Sequence, residues 1–234
     1  MNSLFQKLTD IAQLALDEAM LKRTLAESVH DTGLDYYAYL NVQPVGAFAV
    51  SNYPMEWQRR YFAQGYINID PVVALAKRKM KPFIWAASSL RECASARVHQ
   101  FYSEAGDFGI RSGVSIPIPT AFGHMSILTL ASRTPSLAFS NDIDHVAATS
   151  AVAQLHAKLE QREVQPTARM RIELKAKQAI CLKWSAEGKC MKAIAMIEGM
   201  SYHNVNFHLN NARNALDAGT LPQATALATS LQLI

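Results

Sequence analysis

From Leu182 to Leu216 the chain reads LKWSAEGKCMKAIAMIEGMSYHNVNFHLNNARNAL, three short helix-forming segments whose middle break is Glu198-Gly199-Met200-Ser201. The segments run Lys175–Glu187, Cys190–Ile197 and Tyr202–Leu216. Gly199 permits a tight turn between helices, and Ser201 is the expected N-cap of the third. This is the layout of a helix-turn-helix, a DNA-binding unit whose third, recognition helix enters the major groove. The preceding two-thirds of the chain must then form a separate body.

Charge is divided along the same line. The 234 residues carry a net charge of +4. Residues 1–165 hold 15 basic and 15 acidic side chains, and residues 166–234 hold 8 and 4. All the excess positive charge therefore lies in the C-terminal segment, as a phosphate-binding surface requires. A hydrophobic content of 50% supports packed cores. No apolar run is long enough to span a membrane. The N-terminus, with Lys7 and Asp10 inside its apolar pattern, is unlike a signal peptide. Cys93, Cys181 and Cys190 form no CxxC pair, which favours reduced thiols in a cytoplasmic protein over a disulfide or metal site.

Leu4, Leu8, Ile11, Leu14, Leu21 and Leu25 recur at helical spacing, so the chain opens with one or two amphipathic helices, closed at His30-Asp31-Thr32-Gly33. Tyr36–Val42 and Ala47–Asn52 are β-prone runs around Pro44-Val45-Gly46, a hairpin signal. Pro54–Tyr66 reads as helical, Val72–Lys79 as a short helix begun by Asp70-Pro71, and Phe83-Ile84-Trp85 as extended. Ser95–Phe108 is a helix closed by Gly109. Gly113–Ile118 and Ser126–Ser132 are two strands paired across Pro119–Gly123, and Asn141–Gln161 is a long helix. The order predicts an α+β chain: an N-terminal α/β/α sandwich with about five strands, residues 1–162, a linker at 163–174 containing Pro166, and an all-α helix-turn-helix domain at 175–234.

Nucleophile elbows, phosphate-binding loops, dinucleotide fingerprints and HExxH are all absent, and the seven histidines are scattered. No catalytic set and no metal set is expected. Aromatic side chains are instead concentrated at Tyr53, Trp57, Tyr61, Phe62, Tyr66, Trp85, Phe101 and Tyr102. Tyr53, Trp57 and Tyr61 are spaced by four and share a face if the helix begins near Tyr53. Two readings fit: an aromatic core, or an apolar pocket with a few placed polar groups. Asp70 is similarly double. It is a helix N-cap ahead of Pro71 or a half-buried acid that needs a ligand N–H.

The residues Tyr53-x3-Trp57-x3-Tyr61, Asp70-Pro71, Trp85 and Gly109-Ile110-Arg111-Ser112-Gly113, in this order, resemble the autoinducer-binding domain of LuxR-family quorum-sensing regulators, in particular the TraR-like branch. Leu182-x-Trp184-x3-Gly188-Lys189, Ile194-Ala195, Gly199, Val205 and Leu209 are similar to that family's DNA-binding domain. The resemblance covers nearly the whole chain. It implies an N-acyl-homoserine lactone as ligand, with no further cofactor. Trp57 would donate to the lactone carbonyl, Asp70 accept from the amide N–H and Tyr53 donate to the amide carbonyl. Thr129 would reach the 3-oxo group of a medium-chain ligand, directly or through water. Tyr61, Phe62, Trp85, Phe101, Tyr102, Ala105 and Ile110 would wall the lactone and acyl chain, and the small Ala38 and Ala49 would leave room for it. Each buried methylene contributes roughly 0.8 kcal/mol, while the hydrogen bonds discriminate against wrong head groups.

For the DNA-binding unit the resemblance implies contacts from Trp184 and Lys189 to phosphates, and from Ser201, Tyr202, Asn204, Asn206, Asn210 and Arg213 on the recognition helix. Here the chain departs from the pattern. Arg213 is the only Lys or Arg between Ala193 and Ile234. Asn206 and Asn210 stand where TraR-like proteins usually carry arginines, Gln178 where glutamate is common, and Ala215 and Leu221 where many members have Lys and Arg. Fewer phosphate contacts weaken affinity and flatten its salt dependence, while Asn can still read adenine bidentately.

The expected function is a lactone-responsive transcriptional regulator that binds a palindromic operator as a homodimer. Asn141–Gln161, with an apolar stripe of Ile143, Val146, Ala147, Val152 and Leu155, is either a dimerising helix or a cover for the sheet. The alternative function is a signal-binding modulator that heterodimerises with a related activator and inhibits it. The resemblance also admits an antiactivator protein as a further partner.

Overall fold

The computed structural model describes every residue except 1, 15, 44–45, 92–94, 121–123, 138–142, 170–172 and 232. The chain divides into two compact units, the first built on residues 48–170 together with 1–42, the second on residues 171–234 together with 43–47.

The first unit begins with α1 (Asn2–Gln13) and α2 (Glu18–His30), the latter capped by Asp17, which accepts from the Met20 N–H. β1 (Tyr36–Gln43) and β2 (Gly46–Ser51) follow, then α3 (Met55–Ala63), a 3-10 turn (Tyr66–Asn68), α4 (Pro71–Lys79), β3 (Phe83–Ala86), α5 (Ala87–Arg91) and α6 (Ala96–Asp107). β4 (Ser112–Pro119), β5 (Met125–Ser132), α7 (His145–Gln161) and β6 (Ala168–Arg169) complete it. The strands form one sheet in the order β3-β4-β5-β1-β2-β6. The β3–β4, β4–β5, β1–β5 and β2–β6 pairs are antiparallel.

Strand residues alternate between faces with period two, and here both faces are covered. Tyr37, Tyr39, Val50, Val114, Ile116, Ile118, Leu128 and Leu130 pack against Leu4 and Leu8 of α1, Leu21 and Leu25 of α2, and Val152, Leu155 and Leu159 of α7. Their neighbours Ala38, Leu40, Ala49, Ser51, Ile127 and Thr129 face the opposite side, together with residues of α3, α4 and α6. Burial on both sides explains why β4 and β5 read as nearly continuous apolar runs and not as alternating ones. The layering is the α/β/α sandwich expected from the element order.

One expectation, the linker, needs correction, and two are made definite. The sheet, expected with about five strands, has six. The sixth, β6, is two residues inside the segment expected as linker at 163–174: Ala168 pairs with Ala49 and Arg169 with Phe48. Two residues carry no detectable period, so backbone pairing with the β2 edge creates the strand. The first unit therefore runs on through the first part of that segment. Finally, the α7 stripe belongs mostly to the sheet: Ile143, Val152 and Leu155 are buried, whereas Val146 is 81% exposed. Helix α7 begins at His145, where Asp144 accepts from the Ala147 N–H. The expected start at Asn141, the hairpin residues Pro44 and Val45, and 121–123 of the β4–β5 connection lie outside the described residues.

The second unit is helical: α8 (Ala176–Ala186), α9 (Met191–Ile197), α10 (Tyr202–Ala215) and α11 (Leu221–Ser230). Cys181, Leu182, Ile194, Val205, Leu209, Ala212, Leu216, Ala224 and Ala228 form its core. Gly199 has φ of 60°, the left-handed conformation that the turn between α9 and α10 demands. Ser201 caps α10 by accepting from the Asn204 N–H at 3.1 Å. At Gln178 the departure is conservative: its Oε1 accepts from the Lys175 N–H at 2.9 Å, half of a capping box that glutamate would make equally well. Helix α11, capped by Thr220, had no separate place in the sequence reading.

Candidate ligand-binding site

Between the sheet and helices α3, α4 and α6 lies a predominantly apolar cavity. All thirteen residues predicted to meet the ligand line it. The sheet supplies its floor: Ala38 on β1, Ala49 on β2 and Thr129 on β5, with small side chains where larger ones would fill the space.

The walls are aromatic. Trp57 of α3, only 3% exposed, has its ring 6.0 Å from Tyr61, 5.8 Å from Phe101 and 5.6 Å from Phe108. Such tilted and edge-on pairs hold ring positions beyond what area burial alone provides. The aromatic cluster is thus both core and pocket wall, and the two sequence readings merge. Helix α3 begins at Met55, so Tyr53 precedes the helix and does not share its face. It reaches the cavity from the β2–α3 connection, where its N–H is donated to Ser51 Oγ at 2.9 Å.

Asp70 is both a helix cap and a buried acid. As the N-cap of α4, its Oδ1 accepts from the Val72 N–H at 2.8 Å, and its Oδ2 accepts from Tyr61 Oη at 2.9 Å. Burial raises its pKa to about 6, against the opposing pull of those two donors. Burial, then the nearby Asp70 charge, also pushes the Tyr53 and Tyr61 phenols far up, so both remain protonated donors. A carboxylate has lone pairs for more than two donors, so Asp70 can accept one more. Among the described residues, the Trp57 indole N–H and the Tyr53 hydroxyl make no hydrogen bond. The polar capacity of the cavity is therefore two donors, one acceptor and the hydroxyl of Thr129.

Thr129 is held in place by a chain of side chains. Trp85 Nε1 donates to Ser115 Oγ at 3.0 Å, and Ser115 Oγ lies 2.9 Å from Thr129 Oγ1, its partner across β4 and β5. Gly113 makes room for the Trp85 ring: a Cβ there would lie 2.6 Å from Trp85 Cζ2 and 2.5 Å from the Leu130 carbonyl oxygen.

Several lining residues escaped the sequence reading: Leu40, Ser51, Gln58, Val72, Val73 and Ile127. Leu40, Ser51 and Ile127 keep period two with Ala38, Ala49 and Thr129, a signal that would have found them. Gln58 had none. It is buried next to Trp57, donates to the Tyr53 carbonyl at 2.7 Å and accepts from Thr167 Oγ1 at 2.5 Å. Because Thr167 sits beside β6, Gln58 ties the cavity wall to the end of the first unit.

Residues 17–159 match the family described as the autoinducer binding domain. Over 228 residues the chain is 40% identical to the transcriptional activator protein TraR of Rhizobium radiobacter, covering 97% of each. The chain belongs to the LuxR family of quorum-sensing transcriptional regulators, on its TraR-like side. This LuxR-family chain is also 31% identical over 239 residues to the transcriptional activator SolR of Ralstonia nicotianae, covering 98% of each. Among solved structures it is similar to CepR2 of Burkholderia cenocepacia, an N-acylhomoserine-lactone-dependent LuxR-family factor. Identity is 26% and the TM-score 0.56, over 70% of this chain and 97% of that one. Escherichia coli SdiA shares the fold, at TM-score 0.57 and 21% identity over 99% of this chain and 98% of that one. The named relatives are transcriptional activators and not enzymes. No helix among the described residues is long and apolar enough to cross a membrane.

In the second unit the predicted DNA-contacting residues fall into distinct settings. Lys189 and Tyr202 line one surface groove with Ser185 and Lys192. Ser201, Tyr202 and Asn204 are exposed at the start of α10. Asn210 Nδ2 donates to Asn206 Oδ1 at 3.0 Å. Trp184, expected to offer its N–H to a phosphate, donates it instead to Glu198 Oε1 at 2.6 Å, tying α8 to the end of α9. Arg213 is half-buried, with its Nε enclosed and unpaired among the described residues.

Proposed function

We propose that the first unit binds an N-acyl-homoserine lactone in its cavity and that the second unit binds DNA, as part of a homodimeric activator. The observation that carries the reading is the cavity itself, an aromatic enclosure whose Trp57 and Tyr53 donors and Asp70 acceptor have capacity to spare. Trp57 donates to the lactone carbonyl, Tyr53 to the amide carbonyl, and Asp70 accepts the amide N–H. The acyl chain lies along Ala38, Ala49 and the aromatic wall, and Thr129 meets a 3-oxo group. Burying the ligand stabilises the folded first unit by mass action, which couples signal concentration to the amount of active protein. Dimerisation follows from the two half-sites that helix-turn-helix proteins read. The outward side of α7, with Val146, Ala153 and Ala157 exposed, is the face it leaves for a partner.

The test is expression with and without a 3-oxo medium-chain lactone, followed by gel shift on a palindromic operator at two salt concentrations. A ligand-dependent, salt-sensitive specific shift supports the reading. A second reading, a modulator that pairs with a related activator and inhibits it, is favoured by α10, whose only Lys or Arg is Arg213. Ligand-dependent solubility without a specific shift on any duplex would select it.

A further inference from the structure

Near its start α10 presents an outward face without fixed charge, and its one cation, the half-buried Arg213, follows two turns after Asn206. Tyr202, Asn206 and Asn210 follow one another at four-residue spacing, and His203 and Phe207 form the adjacent row. Phe207 is 57% exposed and Tyr202 54%. Both rings are open to contact on a face that is otherwise polar. Lys189 and Lys192 share a surface groove with Tyr202 at the start of α10.

The hydrogen bond from Asn210 Nδ2 to Asn206 Oδ1 orients both carboxamides. It consumes a donor hydrogen of Asn210 and occupies the oxygen of Asn206. What remains free is both amide hydrogens of Asn206, and the carbonyl oxygen with one amide hydrogen of Asn210. In the major groove adenine offers the complement, an N7 acceptor beside an N6 donor, whereas guanine offers two acceptors, O6 and N7. The Asn210 oxygen would meet guanine O6 lone pair to lone pair. Every A·T pair also carries a thymine methyl, for which an exposed phenyl ring is an apolar partner.

Resting on the reading of the second unit as a DNA reader, we infer that α10 is specific for A·T base pairs, with Asn206 and Asn210 reading adenine and Phe207 packing on a neighbouring thymine methyl. A duplex is favoured over a protein surface because residues 171–234, with 7 basic and 4 acidic side chains, carry +3 of the chain's net +4.

The experiment is selection from a pool of random duplexes by the full chain loaded with a panel of 3-oxo medium-chain lactones, followed by competition binding. The expected result is half-sites dominated by A·T pairs. Replacing a contacted A·T by G·C should weaken binding by about 5- to 150-fold, the range for one well-formed bidentate contact. Asn206→Arg with Asn210→Arg, both at the helix surface, should move the selected pairs towards G·C. Half-sites dominated by G·C in the unsubstituted chain, or selected sequences unchanged by the double substitution, would overturn the inference and leave DNA binding standing. No enrichment over the input pool would overturn the DNA reading itself, and with it this inference.

Discussion

Asp70 offers a prediction whose size and sign follow from its surroundings. Its carboxyl is buried, and burial holds its pKa at about 6 in the folded protein against an ordinary value of 3.8. The folded state therefore binds the Asp70 proton more tightly than the unfolded chain does. Stability contributed at this residue is greatest in acid and is lost as pH rises from about 4 to about 6. Roughly two pKa units at 1.36 kcal/mol each give a loss of up to about 3 kcal/mol by neutral pH. Asn in its place keeps the helix cap, because Asn accepts from the Val72 N–H as well as Asp does, and its amide can meet Tyr61 Oη. The assay is urea unfolding of the ligand-free protein and of Asp70→Asn at several pH values, followed by the fluorescence of Trp57 and Trp85. The variant should gain up to about 3 kcal/mol on the unsubstituted protein between acid and neutral pH. Comparing the two cancels groups that titrate oppositely, such as Glu18, whose pKa is lowered chiefly by its hydrogen bond with Lys22. A bound ligand that donates an N–H to Asp70 favours the carboxylate and should flatten the difference. A stability gap that is constant with pH, or that widens in the opposite sense, would refute the reasoning.

Three further outcomes are expected. Trp57→Phe keeps an aromatic wall but removes the free indole N–H, so lactone affinity of the folded protein should fall by roughly 1–3 kcal/mol, about 5- to 150-fold, as measured by calorimetric titration, alongside a lowered thermal midpoint from the smaller core ring. Gly113→Ala drives a methyl into Trp85 and the Leu130 carbonyl and should destabilise the first unit by about 1–3 kcal/mol, read as a lowered Tm, with the Trp85 to Ser115 hydrogen bond disturbed. Ser201→Ala removes the cap of α10 and should cost about 0.5–2 kcal/mol in denaturant unfolding of the second unit while leaving lactone affinity unchanged.

Local pattern determined much of this protein. The β-prone runs of β1, β4 and β5, helical spacing in α1 and α7, and the break at Gly199 each depend on near neighbours in the chain, so they could be read without tertiary contacts. The pocket aromatics were legible for a different reason: Tyr53, Trp57, Asp70 and Trp85 stand in an order and spacing that resembles one family. The tertiary structure decided what depends on distant partners. Strand β6 exists because Ala168 and Arg169 meet the free edge of β2. Gln58 joins the cavity because Thr167 arrives beside it from more than a hundred residues away. The α7 stripe turned inward because the sheet face offered by Leu128 and Leu130 needed covering, and Trp184 gave up its N–H because the end of α9 brings Glu198 against it. Asp70 shows the division within one residue. Its place before Pro71 made it a helix cap from sequence alone. Only the enclosure by Tyr53, Tyr61 and the sheet, by excluding water, raised its pKa and made it an acceptor facing a cavity.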